Sequence, residues 1–331
     1  MTIDSDFHSH VSRSSALQMA QSAREKGLRV LGLSEHVFQM SEARQTLEHL
    51  SLEGPLLTFP TYVETVQTTA RQSGINVRLG LEVDFIPGKN EAIQALLQGY
   101  PWDYLLGTVH EIDGVQFENE KRGSREEGEK RWLRYFELLR QAVSSGFFSL
   151  VSHLVRMRVK NEHLPAQIDE ELEQLAAEAT RYDVALEVNG YDVLGYPSLV
   201  RRLARACAPH KTPVSVGSDA HNPRQVAQAH AQSEAILREA GIKKVNVDVP
   251  RLTPKIPKFW QLIARCSHSL KASLNGTMAK SFIQRSSCAG IRTQHSRPAH
   301  CLGKQASRER ETRVKAETAL NAPGNTPFIS G

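Results

Sequence analysis

The sequence predicts an α/β fold in which parallel strands form a barrel and metal ligands gather at the C-terminal strand ends. Short apolar runs that fit buried strands alternate with longer segments of helical periodicity through the first 222 residues. Six of the seven runs break into a histidine or an acidic residue where they end. Because (β/α) barrels carry their chemistry at those ends, the pattern indicates one shared site.

The strand-like runs and the helices can be placed in order. The runs are DFHSHV, RVLGLSEH, VRLGLEVDF, DYLLGTVHE, FFSLVSHLVR, VALEVNG and TPVSVGSDAH. The helices predicted between and after them span residues 15–26, 61–73, 90–98, 129–144, 169–182, 198–208 and 226–240. Residues 113–128 are polar and charged and predict a mobile loop, and the apolar stripe that begins at Trp132 predicts core packing.

The composition fits an ordinary globular protein in a reducing compartment. Of the 331 residues, 40% are hydrophobic and 23% are charged. No apolar run is long enough for a membrane span, and the N-terminus lacks a signal-peptide pattern. Cys207 is the only cysteine before residue 251, and no CxxC spacing occurs. We therefore expect a cytoplasmic protein that does not engage membranes.

The net charge of +5 hides two parts of opposite sign. Residues 251–331 hold 14 Lys and Arg against 3 Asp and Glu, whereas residues 1–250 hold 27 against 33. The second part also lacks sustained periodicity, so we expect a barrel over 1–250 and a basic tail with little packed structure over 251–331. The tail could contact anionic partners or be free of selection for folding. An acidic barrel argues against nucleic acid as a partner.

Eight residues at the predicted strand ends are candidate metal ligands. They are His8, His10, His36, Glu82, His110, His153, Asp219 and His221. Imidazole with carboxylate suits zinc, manganese or iron. His8 and His10 are spaced i and i+2, which puts both on one face of a strand, and Asp219 and His221 repeat that spacing.

The motifs FHSH, LSEH, GLEVDF, GTVHE, SHLVR and GSDAH resemble those of the polymerase and histidinol phosphatase (PHP) superfamily over about residues 6–250. The GTVHEIDG and SHLVR segments are most similar to its monofunctional histidinol phosphatases. The resemblance implies a distorted, TIM-like (β/α)7 barrel that holds two or three divalent ions. It also implies a small phosphorylated substrate, and the sequence does not fix the oligomeric state.

The resemblance assigns the ligands to three ions. The first ion would use His8, His10, Glu82 and Asp219. The second would share Glu82 and add His110 and His153, and the third would use His36 and His221. Many family members carry a further histidine soon after HxH, where this chain has the serine-rich segment 12–15. The third site is therefore left with two histidines, to be completed by water and phosphate, weakly occupied or empty.

The expected chemistry is attack of a metal-bound hydroxide on phosphorus. No protein nucleophile is evident, and the general acid is not identifiable, although a metal-bound water or His221 are options. Arginine binds phosphate well, so the candidate phosphate ligands are Arg156, Arg224 and Arg13. Glu187 and Asn189 are candidates to bind a substrate amine or hydroxyl, or to orient a ligand histidine. Glu35 and Glu111 alternate away from the metals, and Asp84 shares the face of Glu82.

These observations favour a metal-dependent phosphoric monoester hydrolase. By the resemblance, the substrate would be L-histidinol phosphate, converted to L-histidinol and phosphate in histidine biosynthesis. A nucleotide phosphatase, a phosphodiesterase or a nuclease would use the same cluster. A non-catalytic metal-binding barrel is the alternative from another class. A metal-dependent amidohydrolase also begins with HxH, but no lysine lies at a later strand end here.

Overall fold

A parallel barrel with a helical outer layer accounts for the described residues, which in this computed structural model are 2–47, 50, 56–116, 119 and 123–245. The strands are β1 (Ser5–Asp6), β2 (Val30–His36), β3 (Asn76–Asp84), β4 (Tyr104–Thr108), β5 (Glu111–Ile112), β6 (Val115–Gln116), β7 (Leu150–Val151), β8 (Ala185–Asn189) and β9 (Val214–Gly217). Seven of them form one parallel sheet in the order β1-β2-β3-β4-β7-β8-β9. The predicted tail over 251–331 lies outside the described residues.

The first and last strands of this sheet meet, so the sheet curls into a nearly closed barrel. The amide of Phe7 donates to the carbonyl of Val216 at 3.1 Å, and Ser9 and Ala220 form a parallel bridge. Asp6 reinforces the seam, because its carboxylate accepts hydrogen bonds from the amides of His8 and Ser218. The predicted distorted (β/α)7 barrel is confirmed.

Helices cover the outside of the barrel. They are α1 (Ala16–Glu25), α2 (Arg44–Leu47), α3 (Phe59–Ser73), α4 (Asn90–Leu97), α5 (Arg125–Ser144), α6 (Ile168–Tyr182), α7 (Gly190–Gly195), α8 (Pro197–His210) and α9 (His230–Glu239). The stripe on α5 that includes Trp132, Tyr135 and Phe136 is fully buried, as its spacing predicts. Within the described ranges, no helix has the length and apolar character that a membrane crossing requires.

Residues 113–128 depart from the predicted loop at both ends. The segment around Asp113 and Gly114 forms the turn of the hairpin β5–β6, and both residues have positive φ. At the other end, α5 begins at Arg125, because Ser124 and Glu127 form a capping box over its first turn. The helix is therefore longer than its apolar stripe indicated.

A small buried cluster fills the barrel below the metal-ligand end. The side chains of Phe7, Tyr104 and Leu106 belong to it, and the Tyr104 hydroxyl donates to the carbonyl of Phe7 at 2.8 Å. This bond joins β4 to the segment after β1, so the tyrosine crosses the barrel interior. Gly80 makes room for the ring, because a Cβ there would lie 2.2 Å from a ring carbon of Tyr104. The barrel interior beneath the predicted ligands is therefore filled by packed, mostly apolar side chains.

Candidate metal centre

All eight predicted ligands come together at the C-terminal end of the barrel. Their ligand atoms fall into four overlapping groups in which every pair of atoms lies within 4.8 Å. The groups are His10, His36 and His221; His8, His10 and Glu82; His8, His153 and Asp219; and His36, Glu82 and His110. Strand ends that are far apart in sequence thus supply one continuous cluster.

Glu82, the seventh residue of β3, lies at the centre of one half of the cluster. The Nε2 atoms of His8 and His36 each lie 3.2 Å from its Oε2. The Nε2 of His110 lies 3.4 Å from its other oxygen, Oε1. Two carboxylate oxygens facing different imidazoles give Glu82 the geometry to bridge two ions.

Asp219 likewise faces imidazoles with both of its carboxylate oxygens, in the other half of the cluster. Its Oδ1 lies 3.2 Å from Nε2 of His10, and its Oδ2 lies 3.4 Å from Nε2 of His153. Asp219 and His153 both have left-handed backbone, with φ of 55° and 59°. The prediction that Asp219 and His221 share a face of a regular strand is therefore wrong, because β9 ends at Gly217 and the chain turns before Asp219.

The grouping around His36 differs from the one that the resemblance implies. The structure brings His10 together with His36 and His221, so three imidazoles face one another instead of two. The rings of His10 and His36 stack at 4.1 Å between centroids, and those of His10 and His221 at 4.3 Å. His10 thus offers a third nitrogen donor to the proposed site of His36 and His221, for which the sequence predicted only two histidines.

A buried carboxylate holds the ring of His8 from behind. Nδ1 of His8 lies 2.9 Å from Oε1 and 3.2 Å from Oε2 of Glu187, and Asn189 donates its side-chain NH to Glu187 Oε2 at 2.9 Å. Gly217 permits the approach, because a Cβ there would lie 2.1 Å from Glu187 Oε1. Of the two roles expected for Glu187, this geometry favours orientation of a ligand histidine, since the carboxylate is fully occupied beneath His8.

Three other rings have a partner at Nδ1. Asp84 Oδ1 lies 2.8 Å from Nδ1 of His110, and the Thr108 hydroxyl lies 2.9 Å from Nδ1 of His153. The carbonyl oxygen of Asp219 lies 3.1 Å from Nδ1 of His221. The Asp84 carboxylate and the Asp219 carbonyl oxygen only accept hydrogen bonds, so they favour the tautomer that is protonated at Nδ1 and has a free lone pair on Nε2.

Glu35 contributes to this outer support against the sequence expectation. One of its oxygens, Oε1, lies 3.2 Å from Nδ1 of His36 and 3.6 Å from Nδ1 of His10. The other accepts hydrogen bonds from the amides of Val11 and Ser12. Strand alternation predicted that Glu35 points away from the ligands, but its side chain curls toward the ring of the next residue, where β2 ends.

The three arginines proposed as phosphate ligands occupy different surroundings. Arg156 is partly buried beside the cluster and donates from Nη2 to Asp219 Oδ2 at 2.7 Å. Arg13 and Arg224 are exposed on the loops that follow β1 and β9. The guanidinium of Arg156 thus lies directly against a predicted ligand.

A model of the PHP domain matches residues 4–190, which is more than half of the chain. The chain belongs to the PHP family. A relative from Deinococcus radiodurans, named a probable histidinol-phosphatase, is 28% identical over 257 residues, covering 72% of this chain and 92% of that protein. A crystal structure of histidinol phosphate phosphatase from Lactococcus lactis, solved with zinc, L-histidinol and phosphate, matches with a TM-score of 0.59 at 16% identity. That match covers 74% of this chain and 96% of the other and concerns the fold.

The donor set of this PHP-family site fits divalent metal ions. Glu82 Oε1 and His153 Nε2 are buried and make no hydrogen bond in the described part of the chain. Leaving buried polar atoms unpaired costs free energy, so atoms of this kind mark a place for a ligand. Clustered imidazole and carboxylate donors are typical of zinc, manganese and iron sites.

The charges inside the cluster also fit a divalent metal ion. Burial favours the neutral form of Glu82, but the imidazoles of His36, His8 and His153 outweigh it and keep the pKa of Glu82 well below its usual range. Burial would also lower the pKa of His10, yet the nearby carboxylates of Asp219 and Glu35 raise that pKa to about 9. Protons thus compensate the buried carboxylates when no metal does, and a divalent cation would replace them.

Sequence reasoning identified the eight residues that cluster but missed part of their support. Thr108 and Asp192 carried no pattern of their own, and both are buried polar residues at the site. Asp192 accepts a hydrogen bond from Nε of Arg156 at 2.7 Å. The only sequence feature that could have suggested a role was its place just after the strand that ends in Glu187 and Asn189.

Proposed function

We propose that this PHP-family phosphatase hydrolyses L-histidinol phosphate to L-histidinol and phosphate, and so acts in histidine biosynthesis in the cytoplasm. The observation that carries the proposal is the convergence of imidazole Nε2 atoms on Glu82 and Asp219, with the Arg156 guanidinium beside them. The name of the Deinococcus radiodurans relative supports the choice of substrate. The substrate is a phosphate monoester small enough to enter the mouth of a barrel.

The proposed metal ligands are the eight clustered residues. His8, His10, Glu82 and Asp219 would hold one ion, and Glu82 with His110 and His153 would hold a second. His36 and His221, with His10 near them, would hold a third. Manganese, zinc or iron bound there would supply an activated water and neutralise charge on the phosphoryl oxygens.

The protein's own residues then position the phosphate. Arg156 offers a fixed guanidinium beside Asp219, and a charged, planar donor of this kind matches phosphate oxygens. His221 serves better as a ligand than as the general acid. Burial and the neighbouring His10 lower its pKa to about 4, so the ring is neutral near pH 7 and has no proton to give from Nε2.

The substrate assignment is tested by comparing kcat/KM for three phosphoesters with the same metal-loaded protein. We expect hydrolysis of L-histidinol phosphate to exceed that of a nucleoside monophosphate and of a bis-aryl phosphodiester by roughly 100-fold or more, because a site built to pair with substrate polar groups rejects analogues that lack them. Preference for the nucleotide or the diester would discard this substrate and keep the metal chemistry. Metal binding without turnover of any phosphoester would favour a non-catalytic barrel.

A further inference from the structure

The corner between β8 and α7 has a structure that the metal ligands alone do not require. The side-chain oxygen of Asn189 caps α7 by accepting hydrogen bonds from the amides of Tyr191 at 2.9 Å and Asp192 at 3.3 Å. The cap fixes the first turn of the helix and presents the Asp192 carboxylate to the barrel interior, where it is 1% exposed. A buried carboxylate of this kind needs a partner.

Arg156 is that partner, and it reaches the corner from the turn after β7. Its Nε donates to Asp192 Oδ1 at 2.7 Å, and its Nη2 donates both to Asn189 Oδ1 at 2.9 Å and to Asp219 Oδ2 at 2.7 Å. The ring of Tyr191 lies over the guanidinium, 4.6 Å from its central carbon. No described residue makes a hydrogen bond to Nη1.

These contacts continue a chain of hydrogen bonds between two predicted ligands. His8 bonds to Glu187, Glu187 accepts from Asn189, and Asn189 accepts from Arg156. Arg156 then donates to Asp219. The EVNGYD segment therefore couples the ligand after β1 to the ligand after β9.

We infer that Asp192 is a positioning residue, which fixes the Arg156 guanidinium so that Nη2 supports Asp219 while Nη1 is left for a phosphoryl oxygen of the substrate. The inference rests on the proposed phosphatase function and assigns a role to a residue that binds neither metal nor substrate. The carboxylate oxygens of Asp219 contact both the clustered imidazoles and the guanidinium of Arg156. A second carboxylate, bound at Nε instead of Nη2, anchors the arginine independently of Asp219.

The test is calorimetric binding of inorganic phosphate to manganese-loaded protein, with Asp192→Asn compared with wild type. Removing a group that orients a site residue typically costs roughly 10–100-fold, so we expect the Kd for phosphate to rise by about that factor while the manganese content stays the same. The matched control is Asp169→Asn, which removes a carboxylate from an exposed pair with Arg202 and should leave the Kd unchanged. A wild-type Kd in Asp192→Asn would overturn the inference.

A double-variant cycle separates positioning from general loss of structure. If Asp192 acts through Arg156, adding Asp192→Asn to Arg156→Gln causes no further loss of phosphate affinity. Additive losses in the two variants would contradict the inference. If Asp192→Asn does not fold, Asp192→Glu takes its place, because it keeps the buried charge paired but displaces it; unchanged phosphate affinity in that variant would equally overturn the inference.

Inorganic phosphate is a product of any phosphomonoesterase, so this test does not depend on the substrate assignment. Turnover of L-histidinol phosphate is measured on the same variants, with kcat and KM reported separately. Loss of phosphate binding in Asp192→Asn together with no turnover of L-histidinol phosphate by wild type would reject the substrate and keep the positioning role. Turnover of L-histidinol phosphate by wild type, together with unaltered phosphate binding in Asp192→Asn, would keep the substrate and reject the positioning role.

Discussion

At the residue scale, five of the six clustered imidazoles are held at Nδ1 by a second group. His8 illustrates the arrangement, with Nε2 facing Glu82 and Nδ1 held by Glu187. The outer partner fixes the tautomer and orients the ring, so its effect should appear in metal affinity. The clustering of the eight proposed ligands could be predicted from the sequence because each lies at or near the end of an apolar run. Glu187 and His8 are 179 residues apart, so their contact could not be predicted.

Glu187→Gln should weaken metal binding without unfolding the protein. The amide keeps the size of the side chain but loses the negative charge behind His8, and we expect a roughly 10-fold weaker affinity. Competition with a chromophoric chelator measures it. Glu170→Gln, an exposed change on α6, is the control and should have no effect. Equal affinities for wild type and Glu187→Gln would refute the orienting role.

Metal affinity should rise with pH. The pKa of His10 in the metal-free site is raised to about 9, because the nearby carboxylates of Asp219 and Glu35 outweigh the effect of burial. A metal ion binds the neutral ring, so binding must release a proton at any pH below that value. Calorimetry in buffers of different ionisation enthalpy should detect the release, and the affinity should increase from about pH 6 to about pH 9. An affinity independent of pH over that range would contradict the assignment of His10.

At the scale of secondary-structure elements, the chain leaves the extended strand conformation before it reaches several of the proposed ligands. The runs DFHSHV and FFSLVSHLVR predicted strands of full length, but β1 and β7 contain two residues each. The chain leaves the extended conformation early, and His153 adopts a positive φ that directs its ring into the cluster. The hairpin β5–β6 was predictable in principle, because its Asp113-Gly114 turn is a known hairpin sequence.

Lys26, at the end of α1, holds the loop that carries His221. Its Nζ donates to the carbonyls of Arg224 at 2.8 Å and Val226 at 2.6 Å. Lys26→Met should lower the free energy of unfolding by about 1 kcal/mol, the net value of a typical hydrogen bond. Urea unfolding measures the change, with the exposed Lys243→Met as the control. A variant as stable as wild type would show that the loop holds its position by other contacts.

At the scale of the whole molecule, truncation tests the predicted boundary between the barrel and the tail at residue 250. Every proposed ligand lies between His8 and His221, within the compact unit that contains the barrel. A chain that ends at residue 250 should therefore retain most of the turnover of the full chain, since every proposed ligand and the described core of the barrel remain. Steady-state kinetics on both chains tests this. A truncated chain that folds, binds metal and has lost most activity would place the last part of the sequence in the working enzyme.

The central claim is that the clustered histidines and carboxylates bind metal ions that catalyse hydrolysis of a phosphate monoester. The most direct test is phosphate release from L-histidinol phosphate by chelated protein as manganese is added back, with Asp219→Asn measured in parallel. We predict no release without metal, recovery on titration, and at least a roughly 1,000-fold loss in folded Asp219→Asn, as expected when a group that acts in the transition state is removed. Full activity in the chelated protein, or near-normal activity in Asp219→Asn, would contradict the account.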